Sequence, residues 1–378
     1  MTVVASAVVA VGTVTGMVTA LDDGRGRDEA RPDVSGSPFP GPLPAVSATA
    51  PATASGSPSP SPSASGGKPG QGAARSAVPE PAASGARNGP VSGRLYRHPG
   101  SQVLDWVRAH HDDPRRPVIE SRIAERPAAV WFTDHAPSSI TARVGAVTSA
   151  GRAKGSVPVV VPYAIPDRDC GGASQGGAPD LGAYDRWIEK FAAGLGSGEV
   201  VVVLEPDAIA QSDCLSEARR TARFASLARA GRVLKAADPK ARVYYDAGHS
   251  DWNSPDRQAG LLRRAGAASA ASSDGIFSNV SNFNRTGDEV AYARRTLDAL
   301  GGPAGMGAVV DTSRNGNGAP ADGEWCDPAG RRLGQAPTLR TGEPRIDAYL
   351  WVKLPGESDG CRGAPGAFMP DYAYDLAR

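Results

Sequence analysis

The sequence predicts an α/β fold in which a seven-stranded parallel β-sheet closes into a barrel. Seven apolar, β-rich runs alternate with helical patterns along the chain. Most of these runs are apolar throughout, which is typical of strands buried on both faces and linked by crossover helices. We therefore expect strands at 128–132, 157–163, 199–204, 242–246, 275–280, 307–310 and 347–352.

Helical patterns lie between most of the predicted strands. In the clearest of them, apolar residues recur at intervals of three and four positions, as one face of a helix requires. These patterns predict helices at 181–195, 215–237, 255–265 and 288–300.

A closed barrel is favoured over an open sheet because polar residues follow nearly every strand. In a parallel barrel the carboxyl ends of all strands converge on one mouth, whereas an open sheet concentrates such residues at one switch point. The residues in question are Trp131, Tyr163, Asp169, Asp207, Asp246, His249, Trp252, Asn279, Asn282, Asp311, Arg314, Lys353, Glu357 and Asp359. We expect the site at that mouth.

The N-terminal part of the chain has a different composition. A length of 378 residues would ordinarily suggest two domains, but 13 of the 33 prolines lie within 22–92, a stretch too poor in apolar patterning to bury a core. We interpret 23–92 as a disordered linker rich in Pro, Ser, Ala and Gly. Residues 93–378 are then one globular domain.

The first 22 residues read as a targeting segment. An apolar run over 2–21 ends at Asp22, and Val18-Thr19-Ala20 offers a small-residue cleavage site, although no Lys or Arg precedes the run. A secretory signal peptide and an uncleaved signal anchor are both compatible with it, as is a leader without function. Either of the first two places the remainder outside the cell, secreted or anchored in the membrane.

Charge and motifs exclude several classes of function. The 41 Lys and Arg balance 40 Asp and Glu, and no basic stripe interleaved with aromatics is present, so neither nucleic acid nor an anionic membrane is an expected partner. No His-Glu-x-x-His, Cys-x-x-Cys or P-loop occurs, and we expect no metal and no cofactor. Carboxylates are the remaining candidates for chemistry.

Three aspartates stand out: Asp169, Asp207 and Asp359. Asp207 follows a buried valine run directly into the predicted mouth, and Asp169 lies in a neighbouring loop. Their like charges would raise the pKa of one of them, as a general acid at neutral pH requires. The alternative for any one of these carboxylates alone is a helix N-cap.

Tryptophans point to a sugar. Trp131, Trp252, Trp325 and Trp351 lie at or near strand ends, where aromatic faces beside carboxylates, Asn, Lys and His suit a neutral polyhydroxylated ring. A lone Trp is more often part of a core, and we assign Trp351, inside the last predicted strand, to the core.

Several collinear motifs over about 94–378 resemble glycoside hydrolase family 6, the cellulases that comprise endoglucanases and cellobiohydrolases. The motifs are Val-Pro-Tyr-Ala-Ile-Pro-Asp-Arg-Asp-Cys at 161–170, Val-Leu-Glu-Pro-Asp at 203–207, Tyr-Asp-Ala-Gly-His at 245–249, Asp-Thr-Ser-Arg-Asn-Gly at 311–316, Trp-Val-Lys at 351–353 and Pro-Gly-Glu-Ser-Asp-Gly at 355–360. The resemblance implies a distorted seven-stranded α/β barrel.

The resemblance also implies catalytic roles. Asp207 would be the general acid, Asp169 would keep the proton on Asp207 and, with Ser174, hold a water chain, and Tyr163 would favour distortion of the sugar. Asp359 matches the carboxylate proposed as base. The family inverts the anomeric centre, so acid and base should be roughly 6.5 to 9.5 Å apart.

Matching sugar-binding positions are Trp131, His249, Trp252, Asn282, Trp325, Lys353 and Glu357. Thr133 departs from the pattern, because some members have an acidic residue there; one sugar contact is in doubt for that reason.

With the family's loops in mind, we expect disulfides Cys170–Cys214 and Cys326–Cys361, one of three possible pairings of four cysteines. Four free thiols would instead contradict an extracellular location.

The predicted function is a secreted, inverting endo-β-1,4-glucanase, a monomer acting on cellulose or a mixed-linkage β-glucan. The only long loop, 314–347, favours an open groove and internal cleavage. A cellobiohydrolase of the same family is one alternative. A non-catalytic glucan-binding protein on this scaffold is another, disfavoured because Asp169, Asp207 and Asp359 are all intact.

Overall fold

The structure, a computed structural model, describes residues 93–136 and 138–378. The expected signal or anchor at 1–22 and the linker at 23–92 lie outside the described residues. Within the described ranges, no helix has the length and apolar character needed to cross a membrane.

Seven parallel strands form the central sheet, as predicted. Each strand pairs with the next along the chain, in the order β2, β4, β5, β6, β7, β8, β9. Their bounds are β2 Val130–Phe132, β4 Val159–Pro162, β5 Val200–Leu204, β6 Ala241–Asp246, β7 Gly275–Ser278, β8 Gly307–Asp311 and β9 Ile346–Leu350.

The sheet curls until its first and last strands meet. No ladder joins β9 to β2 in the described part of the chain, but the Ala129 amide donates to the Trp351 carbonyl at 2.9 Å. Beside it, the Trp131 indole nitrogen donates to the Val352 carbonyl at 2.7 Å. We call this contact the seam. The barrel is therefore distorted, with six full strand pairings and one narrow closure.

The strands are apolar on both sides because they separate two cores. Along β5, Val201 and Val203 point into the barrel, while Val200, Val202 and Leu204 face the surrounding helices. All five are buried. The alternation follows from the two-residue period of a strand, and burial of both faces explains why the sequence shows no polar alternation.

The predicted strand at 157–163 is divided in the structure. Its first part, β3 (Ser156–Val157), pairs with a short additional strand, β1 (Arg94–Leu95), and only the second part, β4, belongs to the barrel. Pro158 lies between the two parts. Proline has no amide hydrogen to donate to a ladder, which ends pairing on that side at this point.

The four predicted helices are present, each with ends within two residues of the predicted ones, and a further helix at Ile140–Ala153 was not among the predictions. Three of them begin at side-chain caps, in which Asp180, Ser216 and Ser254 accept from the amide three residues on. The bounds are α3 Ile140–Ala153, α4 Leu181–Ala193, α5 Glu217–Ala237, α6 Pro255–Arg264 and α7 Thr286–Leu300.

Helices from both ends of the described chain pack beside the seam. They are α1 (Gln102–Ala109), α2 (Arg116–Ile119) with the π-helical turn Glu120–Ala124 that follows it, and α8 (Pro370–Ala377). Their apolar side chains form a third core around Trp351, which is 3% exposed. The assignment of Trp351 to the core therefore agrees with the structure.

Candidate active site

One cleft of about 1130 Å³ lies at the carboxyl ends of the strands. Every catalytic and sugar-binding residue predicted from the sequence lines it: Trp131, Tyr163, Asp169, Ser174, Asp207, His249, Trp252, Asn282, Trp325, Lys353, Glu357 and Asp359. The strand register explains this convergence, because parallel strands bring all their carboxyl ends to one face of a barrel.

Asp207 lies in the turn directly after β5. The backbone turns out of the strand through left-handed conformations at Glu205 (φ 49°) and Asp207 (φ 69°). The Asp207 carboxyl forms no hydrogen bond or ion pair with the described residues. Its pKa is raised well above the usual value by burial, and further by the charges of Asp246 and Asp169. A raised pKa favours the protonated form of the carboxyl, which is the form that a general acid needs.

Asp246, at the end of β6, is fixed by backbone amides. Its carboxylate accepts from Ile209 at 3.0 Å, Ala210 at 2.8 Å and Gly248 at 2.9 Å. Burial raises the pKa of Asp246, while these hydrogen bonds oppose the rise. The backbone therefore holds the Asp246 carboxyl rigidly, and its charge contributes more than that of Asp169 to the raised pKa of Asp207. It was among the polar residues noted at strand ends, but no role was predicted for it.

Asp169 and Ser174 are joined within one loop. The Ser174 amide donates to Asp169 Oδ2 at 2.7 Å, and Arg168 Nε donates to the Ser174 carbonyl at 2.9 Å. The Cys170–Cys214 disulfide ties this loop to the one after β5. The two residues that the family pattern assigns to the water chain are thus held together.

Tyr163 is buried at the floor of the cleft, only 5% exposed. Its ring contacts Trp131 edge-on, with centroids 5.2 Å apart, and the Arg168 guanidinium lies 4.7 Å from its centroid. The pKa of Tyr163 is raised by burial and then by the charges of Asp207 and Asp169. The phenol therefore stays neutral throughout the physiological range.

Asp359 is held between two cations. Arg314 Nη1 lies 2.8 Å from Oδ2, Lys353 Nζ lies 3.4 Å from Oδ1, and the Asp327 amide donates to Oδ2 at 3.0 Å. Both the Asp359 and Arg314 side chains are buried, at 7% and 0% exposure. Two positively charged side chains and one backbone amide therefore contact the carboxylate oxygens of Asp359.

Asp327 supports this pair and was not anticipated from the sequence. Its carboxylate accepts from the Asp359 amide at 2.6 Å, the Arg362 amide at 2.9 Å and the Ser358 hydroxyl at 2.7 Å. Burial alone would raise the pKa of Asp327, but the hydrogen bonds outweigh it and the pKa is lowered. The one feature of the sequence that could have pointed to Asp327 is its position directly after Cys326 in the long loop.

Ser358 occupies the centre of Gly356-Glu357-Ser358-Asp359-Gly360, which has the spacing of a serine nucleophile elbow. The residue is fully buried, and its hydroxyl donates to Asp327 Oδ2 at 2.7 Å and lies 3.1 Å from the Gly363 carbonyl oxygen. Ser358 does not line the cleft. Its hydroxyl is therefore not placed to act as a nucleophile.

Aromatic faces line the open part of the cleft. Trp252 is 37% exposed and Trp325 is 58% exposed, and no other large hydrophobic side chain in the described ranges is exposed. The His249 ring packs at 5.3 Å from that of Trp252. Exposed indole faces suit the C–H faces of a pyranose ring.

The cleft also contains polar side chains that can form hydrogen bonds with sugar hydroxyls. Burial raises the pKa of Glu357 to about 7, and burial lowers the pKa values of Lys353 and His249. Near neutral pH, His249 is accordingly uncharged, and Glu357 is present in both forms. Neutral and charged donors and acceptors therefore coexist along the cleft.

Both expected disulfides are present and all four cysteines are paired. Cys170 bonds to Cys214 and Cys326 bonds to Cys361, linking loops that hold cleft residues. Within the described ranges, no group of three or more His, Cys, Asp or Glu is arranged to hold a metal ion.

The comparisons with known proteins agree on one family. Residues 94–371 match the profile described as glycosyl hydrolases family 6. Endoglucanase 1 of Streptomyces sp. (strain KSM-9) is 52% identical over 284 residues, which cover 75% of this chain and 77% of the relative. Endoglucanase A of Thermobispora bispora is 46% identical over 309 residues, covering 82% of this chain and 66% of the relative's length.

Among solved structures, the endoglucanase Cel6 from Mycobacterium tuberculosis superposes with a TM-score of 0.70 at 37% identity. The match covers 75% of this chain and 96% of that chain, which was solved with methyl-cellobiosyl-4-deoxy-4-thio-β-D-cellobioside.

Proposed function

The chain belongs to the glycosyl hydrolases of family 6, and we propose that it is a secreted, inverting endo-β-1,4-glucanase acting on internal bonds of cellulose or a related β-glucan. One observation carries the catalytic assignment: Asp207 lines the cleft, its carboxyl has no hydrogen-bond partner among the described residues, and burial together with the charges of Asp246 and Asp169 raises its pKa. It is the carboxyl in the cleft best suited to arrive protonated at the glycosidic oxygen.

In the proposed reaction, Asp207 protonates the leaving oxygen while a water attacks the anomeric carbon from the opposite face. Asp359, which is paired with Arg314 and Lys353, would act as the base, and Asp169 and Ser174 would orient the water. Tyr163 presses on the sugar at the cleavage point. The charge of Asp169 also opposes loss of the Asp207 proton before the bond breaks.

Sugar rings on either side of the cleavage point would stack on Trp252, Trp325 and Trp131. Their hydroxyl groups would bond to His249, Asn282, Lys353 and Glu357, all of which line the cleft. A neutral polymer has no need of electrostatic steering, which fits the formal net charge of +1.

Internal cleavage is favoured over release of cellobiose from chain ends. The relatives with 46% and 52% identity are endoglucanases, whereas four fungal exoglucanases and cellobiohydrolases share 28–31% identity with this chain. A single long loop follows β8, consistent with an open groove.

The proposed location is outside the cell. Two disulfides are consistent with an oxidising compartment. We propose that 1–22 is a signal peptide or anchor, that 23–92 is a linker, and that 93–378 is the catalytic domain, acting as a monomer.

The decisive test is Asp207→Ala on carboxymethylcellulose, with circular dichroism as the control for folding. We expect loss of nearly all viscosity-reducing activity with the fold retained. Proton NMR of the fresh product should show the α-anomer. Full activity in the folded variant would reject the acid assignment, an initial β-anomer would reject inversion, and an inactive wild type that still binds glucan would favour a non-catalytic binding protein.

A further inference from the structure

Glu205 is a buried carboxylate that the proposed reaction does not use. It lies two residues before Asp207, is fully buried and does not line the cleft. Its two oxygens accept from the Ala164 amide at 3.0 and 2.9 Å, and Oε2 also accepts from the Ile165 amide at 3.0 Å. The Glu205 amide donates to the Pro162 carbonyl at 3.1 Å. The side chain thus continues the bonding between β4 and β5 beyond the end of β4.

A second buried side chain binds the backbone carbonyls of the next two residues, Pro166 and Asp167, where Glu205 binds amides. Arg223 on α5, 3% exposed, donates from Nη2 to the Pro166 carbonyl at 2.7 Å and to the Asp167 carbonyl at 3.0 Å. In the segment 164–167, two amides are therefore bound by a carboxylate and two carbonyls by a guanidinium. Bonds to charged groups are stronger than neutral ones.

Close backbone packing restrains the same segment from a third side. The Ala178 amide donates to the Ala164 carbonyl at 2.8 Å. Gly177, at φ +103°, lies so near that a Cβ there would be 2.0 Å from the Ile165 carbonyl oxygen. Only glycine permits both this conformation and this approach.

The backbone is strained at Asp167, the last residue of the segment, and in the residues that follow it. Asp167, Asp169 and Cys170 all have left-handed conformations, with φ of 53°, 57° and 46°. Non-glycine residues stay in such conformations only where the surrounding structure holds them. The segment 164–167 connects this strained turn to Tyr163. Greater mobility of the segment would therefore displace both Tyr163 and Asp169, which line the cleft.

We propose that Glu205 and Arg223 are positioning residues that clamp the segment 164–167 and thereby fix Tyr163 and Asp169 relative to Asp207. The inference rests on the proposed function, because it concerns the geometry of that reaction. Neither side chain lines the cleft. Their contribution arises because small displacements of positioned groups cost large factors in rate.

A carboxylate is required at Glu205 because two amide hydrogens converge on it. In Glu205→Gln the amide group has one acceptor oxygen and would turn an NH₂ toward a donor. Burial raises the pKa of Glu205 to about 7, opposed by the Ala164 and Ile165 amides and by Arg168. Tyr184 and Arg223 also face it. Assays at pH 8 therefore compare the variant with an ionised wild-type carboxylate.

The first measurement is amide hydrogen exchange, which needs no activity. In Glu205→Gln we expect exchange in the peptide 163–170 to accelerate by about tenfold or more, the equivalent of one lost hydrogen bond. The matched control is Asp238→Asn, a buried carboxylate that accepts from the Lys240 amide at 2.9 Å before β6, at the opposite end of the barrel. It should leave that peptide unchanged. Unchanged exchange in Glu205→Gln would overturn the clamp.

The second measurement separates positioning from stability. For Glu205→Gln and Arg223→Gln we expect kcat on cellopentaose to fall by about 10- to 100-fold with KM within about threefold, while Asp238→Asn keeps its kcat. The double variant should lose less than the product of the two single losses, because both act on one segment. Arg223→Lys should recover part of the kcat.

Failure of the clamp and failure of the proposed function have different signatures. A lower melting temperature with unchanged kcat in Glu205→Gln would make the residue merely structural and overturn the positioning role. A wild type that hydrolyses no β-glucan would reject the proposed function and the catalytic half of this inference, while the exchange data would still decide the clamp.

Discussion

Arg314 and Asp359 form an ion pair that is almost completely removed from solvent, with Nη1 and Oδ2 2.8 Å apart. Asp207, by contrast, is near two other carboxylates and has no compensating partner among the described residues. The proposed base and the proposed acid therefore lie in opposite electrostatic settings, and their removal should affect stability in opposite ways.

We expect Asp359→Ala to lower the free energy of unfolding by about 3 to 5 kcal/mol, because it leaves the Arg314 guanidinium buried without a counter-ion. Urea denaturation monitored by tryptophan fluorescence measures this. An unaltered midpoint would contradict the buried pair described here.

Asp207→Asn should be as stable as the wild type or more stable, with the gain growing as pH rises. The pKa of Asp207 is raised in the folded state. The stability of the wild type therefore falls as pH rises from the unfolded-state pKa, about 3.9, to the folded-state pKa, because the unfolded chain ionises more readily. The variant lacks this loss of stability. Melting temperatures from pH 4 to pH 8 test it, and a widening deficit of the variant would contradict it.

The alkaline limb of the activity profile should depend on Asp246. Activity requires protonated Asp207, so it falls as pH rises through the pKa of that carboxyl. Asp246→Asn removes the charge that raises the pKa of Asp207 most and should therefore shift the alkaline limb to lower pH. The pH dependence of kcat on carboxymethylcellulose gives the answer. Glu289→Gln, at a buried carboxyl bound to the Ser250 amide, is a control that should leave the limb in place.

Trp325→Ala should weaken binding of long cello-oligosaccharides by about 1 kcal/mol, the order of one aromatic stacking contact, with little effect on stability. The side chain is 58% exposed, so few packing contacts are lost. Trp106→Ala is the control, since Trp106 stacks on His110 outside the cleft lining. Equal KM values for Trp325→Ala and the wild type would remove Trp325 from the binding surface.

Replacing Cys326 and Cys361 together by alanine should lower the free energy of unfolding by about 2 to 4 kcal/mol, because the bond closes a loop of 35 residues. Activity should fall more than for an equally destabilised core variant such as Leu227→Ala, since Asp327 and Asp359 lie beside the bond. Guanidinium denaturation and kcat measured below the transition test both parts. Matching kcat losses in the two variants would argue for stability alone.

The barrel could be predicted because its signal is local. Continuous valine runs such as Val200–Leu204 mark strands buried on two faces, and the polar residue after each run marks the mouth. The gathering of the twelve cleft residues follows from topology alone. The catalytic roles needed the longer motifs, because a single Asp after a strand equally suits a helix cap.

What the sequence did not predict depends on contacts between distant residues. Asp327 lies in an irregular loop, and only the fold brings its carboxylate to the Asp359 amide. Glu205 continues a strand by position, yet its left-handed backbone turns the side chain to the neighbouring strand. Pro158 could be seen in the sequence as a possible end to strand pairing. Its effect depended on pairing with β1, which is only two residues long and too short to show a strand pattern in the sequence.

The seam has a consequence for folding. The bond from Trp131 to Val352 joins residues 221 positions apart, and the helices that cover it come from the two ends of the described chain. Contacts between residues so far apart in sequence form slowly, because a long loop must close before they stabilise the fold. Until the seam forms, the incomplete sheet has two free edges that can pair with other chains.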